Sequence, residues 1–127
     1  MHIIHPTGFT FSPSAIRRAS LDYLDHADFL EHDSYAHFTA WRRADNRRLV
    51  LLTTKSSAPF HSASFLPRDV LMLGRESAGV PDAVAAEADL AIRIPMRPRM
   101  RSLNVAVAGA LVLGEALRQT GHFSGLS

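Results

Sequence analysis

The sequence predicts an α/β domain built on a mostly parallel sheet, and three observations carry that reading. Residues 49–54 (LVLLTT), 70–73 (VLML) and 90–94 (LAIRI) are short β-type runs whose apolar residues do not alternate with polar ones, as in strands covered on both faces. Helical segments fall between and after these runs, over residues 82–87 and from residue 102 or 103 onward. The whole chain is 127 residues long, the size of a single core. No repeat, low-complexity tract or linker interrupts it, so one domain over residues 1–127 is expected.

At the front of the chain, residues 2–5 (HIIH) are apolar and β-branched and stop at Pro6 and Gly8, which predicts a buried strand ending in a turn. Ser12 or Ser14 is placed to cap a short helix through Arg18, with Pro13 early in it. A brief strand is expected around residues 27–30. Asp33 or Ser34 is placed to cap a helix through about Arg43, in which Tyr35, Phe38 and Trp41 recur on one side. The three apolar strands come next, the second ending at Gly74, and Pro81 leads into the short Ala-rich helix 82–87. The last helix is expected to run until Gly121, a residue suited to terminating it.

Composition excludes several classes. There is no cysteine, so disulfides, thiolate chemistry and Cys-based zinc sites are ruled out. Residues 105–113 form the longest apolar run, far too short to span a bilayer, and the N-terminus lacks the pattern of a signal peptide; a cytoplasmic, non-membrane protein is expected. The seven histidines are scattered, with no HExxH and no i, i+4 pair at His32 and His37, so no metal is expected. GxGxxG, GxxxxGK[ST] and GxSxG are all absent. The net charge is only +2, yet the pI is about 9.7, and thirteen of the fourteen basic residues are arginine, Lys55 being the exception. The arginines cluster at 17–18, 42–43, 47–48 and 97/99/101. Both a GC-rich genome and an anionic partner produce such a bias, since guanidinium forks suit phosphate.

If the three apolar strands are parallel, the loops after them converge on one edge, where open α/β sheets bind ligands. Those loops are residues 53–55, 74–81 (GRESAGVP) and 95–102. In the last, Arg97, Arg99 and Arg101 lead to Ser102, which occupies an N-cap position, with Asn104 in the first turn. Free N–H groups at that helix start suit an anionic group; a capped core helix behind a solvated basic loop accounts for the same residues. Gly109 and Gly114 each cost the helix about 1 kcal/mol relative to alanine. Tight packing against them by another helix, a partner subunit or a threaded segment is the expected reason.

The series LTTK (52–55), LMLGRESAGVP (71–81) and IRIPMRPRMRSLNVAVAGALVLGEALRQTG (92–121) closely resembles the SPOUT, or trefoil-knot, RNA methyltransferases. Within them it is similar to the small members that methylate the ribose 2′-oxygen of the tRNA wobble nucleotide, cytidine or uridine 34. The front of the chain, HIIHPTGF and IRRASLDYLDH, resembles the same group. The resemblance implies a knotted α/β fold, a homodimer, and S-adenosyl-L-methionine as the methyl donor, with in-line attack by the ribose 2′-oxygen on the methyl. It implies a cofactor site of Leu52, Gly74, Ile94 and Ser102, with Glu76, Gly79, Met96 and Leu103 close by. Ser102 and Asn104 are assigned to the catalytic edge, and Arg17, Arg18, Arg97, Arg99 and Arg101 to RNA phosphate around the tRNA anticodon loop.

Relatives of this kind begin with a further strand, loop and helix that carries an arginine assigned to activating the 2′-hydroxyl. No counterpart precedes His2 here, so no general base is named and a misassigned start or a truncated record is expected. Two other readings stay open at this point: a catalytically inactive module that binds S-adenosylmethionine or RNA, and a flavodoxin-like nucleotide binder.

Overall fold

A computed structural model of the chain describes residues 2–4, 30–74, 80–96 and 105–124. The chain divides into two compact units, Met1–Asn46 and Arg47–Ser127.

In the first unit, β1 (His2–Ile4) pairs in parallel with β2 (Leu30–His32), His2 opposite Leu30 and Ile4 opposite His32. The strand expected around residues 27–30 meets β2 at Leu30; residues 27–29 lie outside the described set. A helix start two residues beyond β2 sets its end: the Ser34 side chain accepts a 3.1 Å hydrogen bond from the His37 N–H and caps α1 (Tyr35–Ala44). Asn46, just past α1, takes a positive φ of 52°, a left-handed position that asparagine tolerates. The helix buries Phe38 and sets it beside Tyr35 and Trp41, with ring centroids 6.2 and 5.9 Å away. His32 is 2% exposed and packs edge-on against Phe38 at 5.3 Å, with Trp41 at 5.8 Å and His37 at 5.3 Å. The expected helix cap and aromatic face are both present. The short helix expected up to Arg18 lies outside the described residues.

The second unit holds a three-stranded sheet in the order β4-β3-β5, all parallel: β3 (Leu49–Leu52) in the middle, β4 (Val70–Leu73) on one side and β5 (Leu90–Ile92) on the other. The strand expected over 49–54 stops at Leu52, and Thr53 begins a turn in which its Oγ1 accepts from the Lys55 N–H. α2 (Asp82–Ala86) lies between β4 and β5 in sequence, and α3 (Val105–Gln119) comes after β5. A middle strand with both faces covered must be apolar throughout, and Leu49, Val50 and Leu51 are at most 1% exposed. Val50, Ile92, Phe65 and Val112 of α3 form the core, with Leu52, Leu71, Ile94 and Ala116 packed against it. α3 ends as expected: Gly121 takes φ +74°, its N–H donates to the Arg118 carbonyl, and the His122 N–H donates to the Leu117 carbonyl at 3.0 Å. That pair of bonds is a Schellman cap.

The two helix glycines differ. A Cβ on Gly109 would lie 2.7 Å from Leu73 Cδ1, so α3 approaches β4 closely there. At Gly114 a Cβ would meet nothing within 4 Å among the described residues, so no described element of this chain packs tightly there.

Charged groups lock the starting ends of the strands. Arg48, just before β3, donates from Nε to Asp69 Oδ1 at 2.9 Å and from Nη2 to Asp69 Oδ2 at 2.6 Å, with a further bond to the Ser64 carbonyl at 2.7 Å. Asp69, just before β4, also accepts from the Leu66 N–H at 2.9 Å. Asp89, just before β5, accepts from the Leu49 N–H at 2.7 Å. The hydrogen bond to Asp69 raises the Arg48 pKa above its already high ordinary value. Each strand thus enters the sheet beside a carboxylate or guanidinium bonded to its neighbour's loop, which fixes the register.

Both units offer a stability measurement. Asp69 is only 4% exposed at its side chain, so Asp69→Ala strands both Arg48 and the Leu66 N–H. It is expected to lower unfolding free energy in urea by about 2–4 kcal/mol, and Asp69→Asn by about half as much. In the first unit, burial and then the charge of His37 push the His32 imidazole below its ordinary 6.5. The unfolded chain then binds more protons than the folded one as pH falls through 6.5, so this residue's contribution declines on acidification and is fully lost below the lowered value. His32→Phe, measured by urea unfolding from about pH 7.5 to about pH 5, is expected to flatten the stability slope whatever constant offset it introduces.

Candidate functional site

The site forms where the three parallel strands end. The register sets Leu52 opposite Leu73 on one side and opposite Ile92 on the other, so the three strands finish level. Because β4 and β5 flank β3 on opposite sides, the chain's course reverses at β3, and the crevice beyond such a reversal is where open parallel sheets take ligands. Of the residues read from the sequence as a ligand site, Leu52 ends β3, Gly74 comes directly after β4, and Ile94 and Met96 lie two and four positions past β5. All four are half-buried, and Leu52 and Ile94 lean on the core cluster. The fold therefore brings these four to one edge. Glu76, Gly79, Arg97, Arg99, Arg101, Ser102, Leu103, Asn104, Arg17 and Arg18 lie outside the described residues.

This half of the site is apolar, with backbone groups as its polar component. Leu52, Ile94 and Met96 can hold a flat or aliphatic ligand face, and the absent side chain of Gly74 lets a ligand approach the backbone. Lys55, in the loop after β3, pairs with Asp82 at the start of α2 at 3.5 Å. Both side chains are largely exposed, so the pair adds little to stability and leaves the ammonium at the mouth of the crevice.

The chain after β3 makes a further contact that the sequence does not foretell. In β5 the Ile92 carbonyl faces β3, where it accepts from the Thr53 N–H at 2.8 Å. By the strand's alternation, Ala91 and Arg93 present their backbone groups to the far edge. Residues 56–60 run along that edge. The Ser56 hydroxyl donates to the Ala91 carbonyl at 2.7 Å and accepts from the Ala58 N–H at 3.1 Å. The Arg93 N–H donates to the Ala58 carbonyl, and the Phe60 N–H to the Arg93 carbonyl, both at 2.8 Å. This makes a single parallel bridge between Pro59 and Arg93, with a turn of 3-10 helix next to it at Phe60–Ser62. The one available signal is Pro59 itself: lacking an N–H, it fits an edge position where no donor is required. Further on, the Gln119 side chain of α3 accepts from the Phe65 N–H and donates to the Ala63 carbonyl, each at 2.8 Å, pinning the end of this segment to the helix.

The arginine clusters separate by role. Arg48 is committed to Asp69 at the opposite end of the sheet, and Arg42 is buried on α1, so neither offers an open basic patch. Among the described residues no three His, Asp or Glu side chains converge as a metal site, and no helix is long and apolar enough to cross a membrane.

Known proteins match this arrangement closely. Residues 1–114 match the SpoU rRNA Methylase family. A tRNA (cytidine(34)-2′-O)-methyltransferase of Beijerinckia indica is 57% identical over 119 residues, covering 94% of this chain and 74% of that protein. A solved structure concerned with 2′-OH methylation of C/U34 on tRNA superposes with a TM-score of 0.84 at 38% identity, covering 93% of this chain and 76% of the other. An rRNA methyltransferase of Sinorhizobium meliloti solved with AdoMet bound gives a TM-score of 0.77 at 30% identity, covering 88% of this chain and 44% of that one.

Proposed function

The chain belongs to the SpoU rRNA methylase family, and from that premise we propose that it methylates the ribose 2′-oxygen of nucleotide 34 in tRNA, with S-adenosyl-L-methionine as methyl donor. The observation that carries the reading is the 57% identity to a tRNA (cytidine(34)-2′-O)-methyltransferase over 94% of this chain. The described part of the edge fits the donor. Leu52, Ile94 and Met96 offer apolar surface for an adenine ring, and Gly74 leaves the backbone open to it. S-adenosylmethionine, when bound, supplies an electrophilic methyl group. The protein's own contribution is to orient the ribose against that edge and to exclude water from it, which is where much of such a rate gain arises.

The remaining assignments rest on the same reading. Glu76, Gly79 and Leu103 complete the cofactor loops, Ser102 and Asn104 stand at the reacting edge, and Arg17, Arg18, Arg97, Arg99 and Arg101 meet phosphates of the anticodon loop. The fold is a SPOUT α/β domain over residues 1–127 with its knot in the C-terminal half, acting on tRNA in the cytoplasm. We also assign a homodimer. Val107, Leu111 and Leu113 on α3 are about half exposed, and Gly114 beside them opens onto space, a surface shaped for close approach of a second copy.

Three experiments test this. Incubation with labelled S-adenosylmethionine and unmodified tRNA is expected to place the label on the ribose of nucleotide 34; label elsewhere or none would overturn the assignment. Ser102→Ala should lower methyl transfer, while Arg99→Ala should weaken tRNA binding and reduce its salt slope by about 1, as loss of one phosphate contact does. Leu111→Lys should convert a dimer to a monomer in sedimentation with its helical content intact.

A further inference from the structure

The strap formed by residues 56–60 is bonded to the strand that delivers half of the cofactor edge. Ala91 and Arg93 carry the far-edge backbone groups of β5, and Ile94 and Met96 come within a few residues of them. Without the strap, the Ala91 carbonyl and both backbone polar groups of Arg93 would lose the partners they have here. The chain leaving β5 would then be held only on its β3 side.

Ser56 is the side chain that fastens the strap. Its hydroxyl makes two bonds at once, donating to Ala91 and accepting from Ala58, and it is half-buried rather than solvated. The second bond turns the chain so that the Ala58 carbonyl faces the Arg93 N–H. Phe60 then anchors the far end, with its N–H on the Arg93 carbonyl and its ring against the core. Since Ser56 is also four residues past Leu52, one short segment spans from the first cofactor-edge residue to the backbone that sets the third.

We propose that Ser56 is a positioning residue for the cofactor edge, holding Ile94 and Met96 at the height of Leu52 and Gly74 by strapping residues 56–60 to the outer edge of β5. The proposal rests on the methyltransferase reading above and adds to it a residue that acts through the backbone of β5. A hydroxyl is the requirement: threonine keeps both bonds, cysteine keeps the size with a weaker donor, and alanine removes both.

The test is S-adenosylmethionine titration of the full chain by calorimetry, with amide hydrogen exchange on the same samples. Ser56→Ala is expected to weaken cofactor binding about five- to tenfold, the scale of one or two lost hydrogen bonds, with tRNA binding in the absence of cofactor unchanged. Exchange should accelerate at the Ala58 and Arg93 amides while the amides of β3 and β4 keep their protection. Ser56→Thr should restore wild-type affinity and exchange, and Ser56→Cys should fall between, which keeps the comparison available if the alanine variant does not fold. Affinity of Ser56→Ala within twofold of wild type, or equal loss in Ser56→Thr, would overturn the positioning role alone. Failure of the wild-type chain to bind S-adenosylmethionine at all would instead overturn the methyltransferase reading beneath it.

Discussion

Burial of β3 on both faces and between two neighbours is the constraint on which the larger unit depends. A strand so placed can carry no polar side chain along its length, and LVLL carries none. All polar work is thereby displaced to the strand ends, and the two ends divide it. At the start, Arg48, Asp69 and Asp89 bond across from one strand's entry to the next. At the finish, Leu52, Gly74 and Ile94 carry no charge, and the ion pair of Lys55 with Asp82 is largely exposed. Structural electrostatics thus gathers at the entry end of one small sheet, and Leu52, Gly74 and Ile94 stand at the other. A site built from loops can vary there without disturbing the register that the charged end maintains.

The same division explains which parts are legible in the sequence. The runs read at 49–54, 70–73 and 90–94 announce the buried parallel strands, which stop at Leu52, Leu73 and Ile92, because burial on both faces favours apolar composition. Ser34 and Gly121 announce helix ends because each satisfies backbone groups by a short-range bond. The edge formed by Leu52, Gly74 and Ile94 is legible once the strands are read as parallel, since the loops after parallel strands emerge on one side. The strap is not. Its bonds join Ser56 to Ala91 and Ala58 to Arg93, over a separation with no periodic mark, and backbone partners leave no trace in side-chain type.

Arginine content illustrates how composition misleads when position is ignored. The cluster at 47–48 looks like a phosphate patch, yet Arg48 is a structural cation whose charge is offset by a carboxylate 4% exposed. Arg42, in the next cluster, is buried. An Arg-rich chain uses guanidinium both as an internal fork and as a surface charge, and only the surroundings tell them apart. The Arg97/Arg99/Arg101 group differs in sequence position, falling between β5 and α3, and lies outside the described residues.

Helix α3 shows how little freedom remains once these demands are combined. Val112 and Ala116 must enter the core, Gly109 must allow Leu73 to lie against the helix, and Gln119 must reach the carbonyl of Ala63 and the N–H of Phe65. Those positions fill the face turned toward the sheet and the strap. Leu111 and Leu113, half exposed beside Gly114, serve none of these demands. The outward face of a helix on an isolated soluble domain favours polar residues. Here leucines stand around Gly114 instead, where a Cβ would meet no described residue within 4 Å. The two glycines of the helix thus differ in surroundings: Gly109 lies against Leu73 of the sheet, whereas a side chain at Gly114 would meet no described residue.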